Sequence, residues 1–222
     1  MMDLIDLHTH TFFSDGVLSP AELVYRYKTK GCSAVALTDH ADYSNIDIVI
    51  PAMIRASEKL AKHYGIDVFA GIELTYIPPD DIGSMIKYAR SIGAQIIVIH
   101  GETSAENVPP GTNRSAVLCG CDILAHPGYL NNETANIAAQ ENSYLEITTR
   151  SGHRNTNKEV YETAVRNNAK LVLNTDTHTP ENLLDREKID SVIKQCGMNE
   201  DYYEVMNTNS RELCSIIKER IQ

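Results

Sequence analysis

Histidines and carboxylates recur along this chain at short, ordered spacings. His8-Thr9-His10 comes first and Asp15 follows it. Thr38-Asp39-His40, Gly71-Ile72-Glu73, His100, Ala125-His126-Pro127 and Asp176-Thr177-His178 complete the series. In an extended chain, side chains two positions apart point to the same side, so His8 and His10 can grip one ion, as can Asp176 and His178. Imidazole with carboxylate suits Zn, Mn or Fe, and no thiolate joins the set to select zinc alone. A catalytic zinc ion takes three protein ligands and keeps one position open. The set His8, His10, Asp15, His40, Glu73, His100, His126, Asp176 and His178 is too large for that and predicts two or three divalent ions, one carboxylate bridging a pair. Three carboxylates leave such a cluster with net positive charge, which suits a phosphate dianion.

These residues need elements to bring them together. Short runs rich in Val, Ile and Leu read as strands buried on both faces: Leu4–Leu7, Ala34–Thr38, Val68–Leu74, Gln95–Ile99, Ile123–Ala125, Tyr144–Thr148 and Lys170–Leu173. Helical patterns alternate with them. Ser19 reads as an N-cap with Pro20 at the first helical position, and that helix stops near Gly31. Further helices are expected from Pro51 to Tyr64, over Ile82–Ser91, Glu133–Glu141, Asn157–Asn167 and Arg186–Cys196, and from Ser210 to Ile221. This alternation implies a parallel sheet with right-handed crossovers. Seven strands without a glycine-rich dinucleotide turn favour a closed α/β barrel over an open sheet. Each ligand group then falls at or just after the C-terminal end of a strand, where a barrel of this kind builds its active site. Six of the 8 histidines belong to the set. Of the other two, His63 reads as solvated at a helix end, and His153 lies after the sixth run.

Composition narrows the function classes. The 222 residues are 42% hydrophobic and 23% charged, ordinary for one folded domain spanning residues 1–222. The net charge of −10 argues against binding a long nucleic acid. Five cysteines without a CxxC pair read as reduced thiols of a cytoplasmic protein, and neither a membrane span nor a signal peptide is recognisable.

Taken in order, the motifs His8-Thr9-His10-Thr11, Ser14-Asp15-Gly16, Thr38-Asp39-His40, Gly71-Ile72-Glu73, His100, Ala125-His126-Pro127 and Asp176-Thr177-His178 resemble those of the PHP (polymerase and histidinol phosphatase) family. The resemblance implies a distorted seven-stranded (β/α)7 barrel of the TIM-like kind. It implies one ion on His8, His10, Glu73 and Asp176. Glu73 would bridge to a second ion on His100 and His126, and Asp15, His40 and His178 would hold a third. Glu73, Asp176 and His178 are thereby the candidate catalytic residues. One departure is Asp15, where the histidinol phosphatases of the family often have His. The implied reaction is hydrolysis of a small phosphorylated metabolite, histidinol phosphate first among them, by a hydroxide held between two ions.

Substrate contacts are expected from Arg150, His153 and Arg154, in a cationic stretch after the sixth strand. Guanidinium forks match phosphate oxygens. The main alternative is a phosphodiesterase or exonuclease acting on nucleotides or short oligonucleotides. A non-catalytic subunit, like the ribonuclease P proteins with a degenerate version of this barrel, is disfavoured by the intact ligand set. An amidohydrolase is disfavoured because no Lys follows the fourth strand.

Overall fold

The structure, a computed structural model, describes residues 4–221. Eight strands occur in it: β1 (Leu4–Asp6), β2 (Cys32–Leu37), β3 (His40–Ala41), β4 (Asp67–Leu74), β5 (Ile96–His100), β6 (Ile123–Ala125), β7 (Tyr144–Thr148) and β8 (Leu171–Asn174). All neighbours pair in parallel in the order β1-β2-β4-β5-β6-β7-β8, with the short β3 added beside β4. The seven-membered path curls into a nearly closed barrel. Its seam, between β8 and β1, is joined by one bridge, Thr9 with Thr177, and by the Leu7 amide donating to Asn174 Oδ1 at 2.9 Å. The distorted (β/α)7 barrel expected from the sequence is therefore the fold.

β3 prolongs β2 in unchanged register. Leu37 lies beside Ala70 and His40 beside Glu73, with the ladder interrupted at Thr38-Asp39. There the chain crosses Gly71, where any Cβ would overlap the Ile96 side chain and carbonyl. Glycine is needed for β4 and β5 to approach so closely.

The helices are α1 (Pro20–Thr29), α2 (Ile46–Tyr64), α3 (Ile82–Ser91), α4 (Thr112–Leu118), α5 (Asn132–Glu141), α6 (Asn157–Arg166), α7 (Arg186–Cys196) and α8 (Tyr202–Arg220). Ser19 caps α1 as expected, its side chain accepting from the Glu22 amide. Two helices begin earlier than their sequence suggests. α2 starts at Ile46, so Pro51 sits inside it rather than at its head, and the Asp47 carbonyl loses its helical partner. α8 starts at Tyr202 instead of Ser210, because Tyr203, Met206, Asn207 and Ser210 form a helically spaced buried face that continues into the rest of the helix. Among the described residues, no helix is long and apolar enough to cross a membrane.

Two apolar layers hold these elements. The larger lies between barrel and helices and includes Val24, Tyr27, Ile50, Met53, Ile86, Val117, Val160 and Val192. The second fills the barrel itself with Ile5, Leu7, Phe69, Ile96, Val98, Ile123 and Val172, and α8 contributes Leu213, Cys214 and Ile217 to it. α8 thus packs on the barrel's inner core and leaves the C-terminal ends of the strands to the ligand residues. Four of the five cysteines are buried; Cys119 is exposed.

Candidate metal centre

The expected ligands converge. His8 and His10 extend β1 with their Nε2 atoms 3.1 Å apart. Glu73, near the end of β4, lies between two groups of rings. Its Oε1 is 3.2 Å from His100 Nδ1 and 3.5 Å from His126 Nε2. Its Oε2 is 3.3 Å from His8 Nε2 and 3.4 Å from His10 Nε2. Asp176 Oδ1 lies 3.0 Å from His10 Nε2 and 3.7 Å from His8 Nε2. Asp15, half exposed, stands 3.1 Å from His178, 3.7 Å from His40 and 3.8 Å from His10. His40 is shared between groups, because its Nδ1 also lies 2.8 Å from Glu73 Oε2.

Local backbone geometry serves the cluster. His126 and Asp176 hold φ values of 26° and 52°, a region that residues with a Cβ rarely occupy. Such strain persists only where surrounding structure enforces it, and it concentrates at functional sites. Beneath the Asp176 turn, buried Asp6 accepts from the Tyr27 and Thr175 hydroxyls at 2.5 Å each. Asp39 accepts from the Thr11 amide and hydroxyl and from Ser14, fixing the loop that carries Asp15.

Charges are strongly coupled here. Burial opposes ionisation of Glu73, yet the His8, His40 and His100 charges hold its carboxyl well below the usual range. Asp176 is depressed despite burial by the His10 ring 3.0 Å away and by the charge of His8. Burial opposes the charged form of His8 also, but Glu146, Glu73 and Asp176 raise it well above the imidazole norm. His10 is pushed down to about 3 by burial and by His40. Desolvation opposes the charge of half-buried His40, but Glu73 and Asp15 raise it to about 9.

Several buried atoms at the site have no hydrogen-bond partner: both oxygens of Glu73, both ring nitrogens of His100 and of His126, Asp176 Oδ1 and Glu146 Oε1. Each such atom costs about 1–3 kcal/mol if nothing satisfies it. Borderline cations are what this donor set accommodates. Four overlapping groups have donor atoms within 4.8 Å of one another: His10-Asp15-His40-His178, His8-His10-Asp176, His40-Glu73-His100 and His8-His126-Glu146. The clusters are consistent with a multinuclear metal site.

Of the residues expected to contact substrate, Arg150 and His153 lie beside this centre. Arg150 follows β7 and places Nε 3.8 Å from Asp176 Oδ2, with Nη1 donating to Asn182 Oδ1 at 3.2 Å. The His153 ring stacks on His126 at 4.3 Å between centroids, and its Nδ1 meets the Thr103 hydroxyl at 3.0 Å. Burial and the His126 charge push His153 down to about 3. Arg154 is held through its backbone, its carbonyl accepting from Gln195. His63 is exposed, as expected.

The sequence reading missed Glu146. Fully buried within β7, its Oε2 accepts from His8 Nδ1 at 2.8 Å and from Asn174 Nδ2 at 3.0 Å. A signal was present: a lone charge inside Tyr144–Thr148, a strand buried along its whole length.

A PHP domain family model matches residues 6–208. An uncharacterized protein of Methanocaldococcus jannaschii is 47% identical over 184 residues, 82% of this chain and 84% of that protein. Among solved structures, a chain of archaeal ribonuclease P determined with mature tRNA gives a TM-score of 0.74 at 14% identity, covering 97% of this chain and 92% of that one. Histidinol phosphate phosphatase of Lactococcus lactis, determined with zinc, L-histidinol and phosphate, gives 0.62 at 17% identity, covering 88% of this chain and 94% of that one. At these identities the two structural likenesses are likenesses of fold.

Proposed function

The chain belongs to the PHP domain family, and from that membership we propose that it is a metal-dependent phosphomonoesterase acting on a small phosphorylated metabolite. Histidinol phosphate is the first candidate. The observation that carries this reading is the placement of Glu73, whose two oxygens face separate histidine groups and so suit a bridge between two ions. His8, His10 and Asp176 would complete one site, His100 and His126 the second, and Asp15, His40 and His178 a third. Bound there, Zn, Mn or Fe would supply Lewis acidity and a nucleophile ionised at neutral pH.

The protein's own groups then have defined tasks. Arg150, beside Asp176, offers guanidinium N–H groups to phosphate oxygens. His153, kept uncharged at neutral pH by burial and the His126 charge, stacks on His126 and adds no charge beside it. The histidinol-bound relative supports a small substrate, as does the net charge of −10.

One observation favours the phosphodiesterase or exonuclease reading. The exposed aromatic residues Phe12, Tyr43, Tyr76 and Tyr129 each follow a member of the cluster (His10, His40, Glu73 and His126) by two or three positions. Exposed rings around a metal site can stack nucleobases. A phosphate-release screen decides between the two. Protein loaded with Mn, Fe or Zn is offered histidinol phosphate, sugar phosphates, nucleoside monophosphates and dinucleotides. Higher kcat/KM on monoesters supports the proposal, and higher kcat/KM on dinucleotides replaces it with the diesterase. No turnover of any ester would leave a binding subunit as the better reading.

A further inference from the structure

Glu146 poses a physical question. Burying a carboxylate in a parallel strand costs several kcal/mol unless its partners are well placed. Its neighbours in β7 are Tyr144, Leu145, Ile147 and Thr148, all buried. The carboxylate reaches across to both strands of the seam. His8, beyond the end of β1, meets its Oε2 at 2.8 Å through Nδ1. Asn174, at the end of β8, donates to the same oxygen at 3.0 Å, while its own Oδ1 accepts from the amide of Leu7, the residue before His8.

We infer that Glu146 is the positioning residue of His8: by accepting from Nδ1–H it leaves the Nε2 lone pair directed at the metal centre. The geometry on the other side of the ring agrees. His8 Nε2 is the atom that lies 3.3 Å from Glu73 and 3.7 Å from Asp176. The Nδ1 atoms of two other rings meet a backbone carbonyl, a hydroxyl or the expected ligand Glu73 itself. His178 Nδ1 donates to the Asp176 carbonyl at 2.9 Å, and His40 Nδ1 meets the Thr75 hydroxyl at 2.7 Å. His8 is the ring whose Nδ1 partner is a carboxylate with no ligand position of its own in the expected set. A carboxylate behind a ligating histidine fixes its orientation and strengthens it as a donor, and losing such a partner typically weakens metal binding 10- to 100-fold. This inference concerns the metal centre alone and stands apart from the choice of ester.

The competing role for Glu146 is direct ligation, since His8, His126 and Glu146 also have donor atoms close together. Zinc alone is the probe. Zinc affinity and stoichiometry are measured by chelator competition in the wild type, Glu146→Gln and Glu146→Leu, with long-range proton–nitrogen NMR of His8 in the zinc-loaded protein. Gln keeps an acceptor for Nδ1–H without the charge, so affinity at the tightest site should fall about 10-fold. Leu removes the acceptor, and the fall should approach 100-fold, with unchanged stoichiometry at saturating zinc. NMR should show the proton on Nδ1 and zinc on Nε2. Unchanged affinity in Glu146→Gln would overturn the inference, as would zinc on Nδ1. Loss of one full equivalent of zinc in that variant would overturn it too, by making Glu146 a ligand. Should Glu146→Leu not fold, Glu146→Gln and the NMR assignment still decide.

Discussion

Two buried carboxylates, Glu73 and Asp122, occupy opposite situations in the same barrel. Asp122, just before β6, accepts from Arg90, from Arg220 at the end of α8 at 2.6 Å, and from the Ile97 amide at 2.7 Å. Glu73, toward the other end of the strands, has neither oxygen hydrogen-bonded and is surrounded by imidazoles. The first arrangement is complete within the protein and locks α3 and α8 to the barrel. The second leaves both oxygens open among rings, an arrangement consistent with a metal site. The contrast teaches that a barrel can separate stability from chemistry by satisfying one buried carboxylate at one end and leaving another open at the other.

That separation has measurable consequences. Glu73→Gln should lower kcat/KM by at least about 1,000-fold, or about 4 kcal/mol of transition-state stabilisation, because a neutral amide bridges ions poorly. Asp15→Asn, at a half-exposed position beside only the proposed third ion, should lower it less. Equal losses measured on the same ester would remove the special standing of Glu73. Asp122→Ala should do the reverse. Chemical denaturation should show about 2–4 kcal/mol less stability, since two arginines lose their partner, although both reach water. Zinc content should stay at the wild-type value; a fall in it would mean the two ends are not independent.

Arg150→Ala should reduce kcat/KM roughly 10- to 100-fold, the worth of a charge-assisted hydrogen bond, with Arg150→Lys recovering part of it. An accompanying loss of metal would make Arg150 a support for Asp176 rather than a grip on phosphate. The smallest effect is in pH. His40 has a folded value of about 9, raised from 6.5, so its contribution to stability is present below pH 6.5 and is lost as pH rises through 9. His8 and His126 are raised as well and act in the same direction. Metal-free protein should therefore lose about 1 kcal/mol or more between pH 6.5 and 9, a few degrees in Tm. Zinc-loaded protein, whose rings give up that proton, should show a flatter profile. Matching profiles would argue that these rings do not bind the ion.

The clustering of these side chains was legible in the sequence because most of them end or closely follow a strand whose Val, Ile and Leu content announces it, as Ile96–His100 and Ile123–Ala125 do. Where local pattern and tertiary demand diverged, the reading lost detail. β3 is two residues long and exists only through its pairing with β4. α4 is a seven-residue helix without an apolar stripe of its own. α2 carries Pro51 beyond its first turn, a place where tertiary packing overrides propensity. Glu146 stayed hidden because its partner His8 is 138 positions away, and spacing arguments do not reach that far.

The seam of the barrel gives the metal centre a mechanical meaning. Leu7 and Asn174 are 167 positions apart, and the strands they belong to are joined by one backbone bridge and a few side-chain bonds instead of a full ladder. His8 and His10 lie on one side of that joint and Asp176 and His178 on the other. An ion held between them would act as a clasp closing the chain from His8 to His178 into a loop, with α7 and α8 outside it, a constraint of the kind a long-range crosslink imposes. The barrel would then open first along this line when the ion leaves. Amide exchange at His10, whose N–H donates to the Thr177 carbonyl at 2.8 Å, would be slow in the clasped state and fast in the open one.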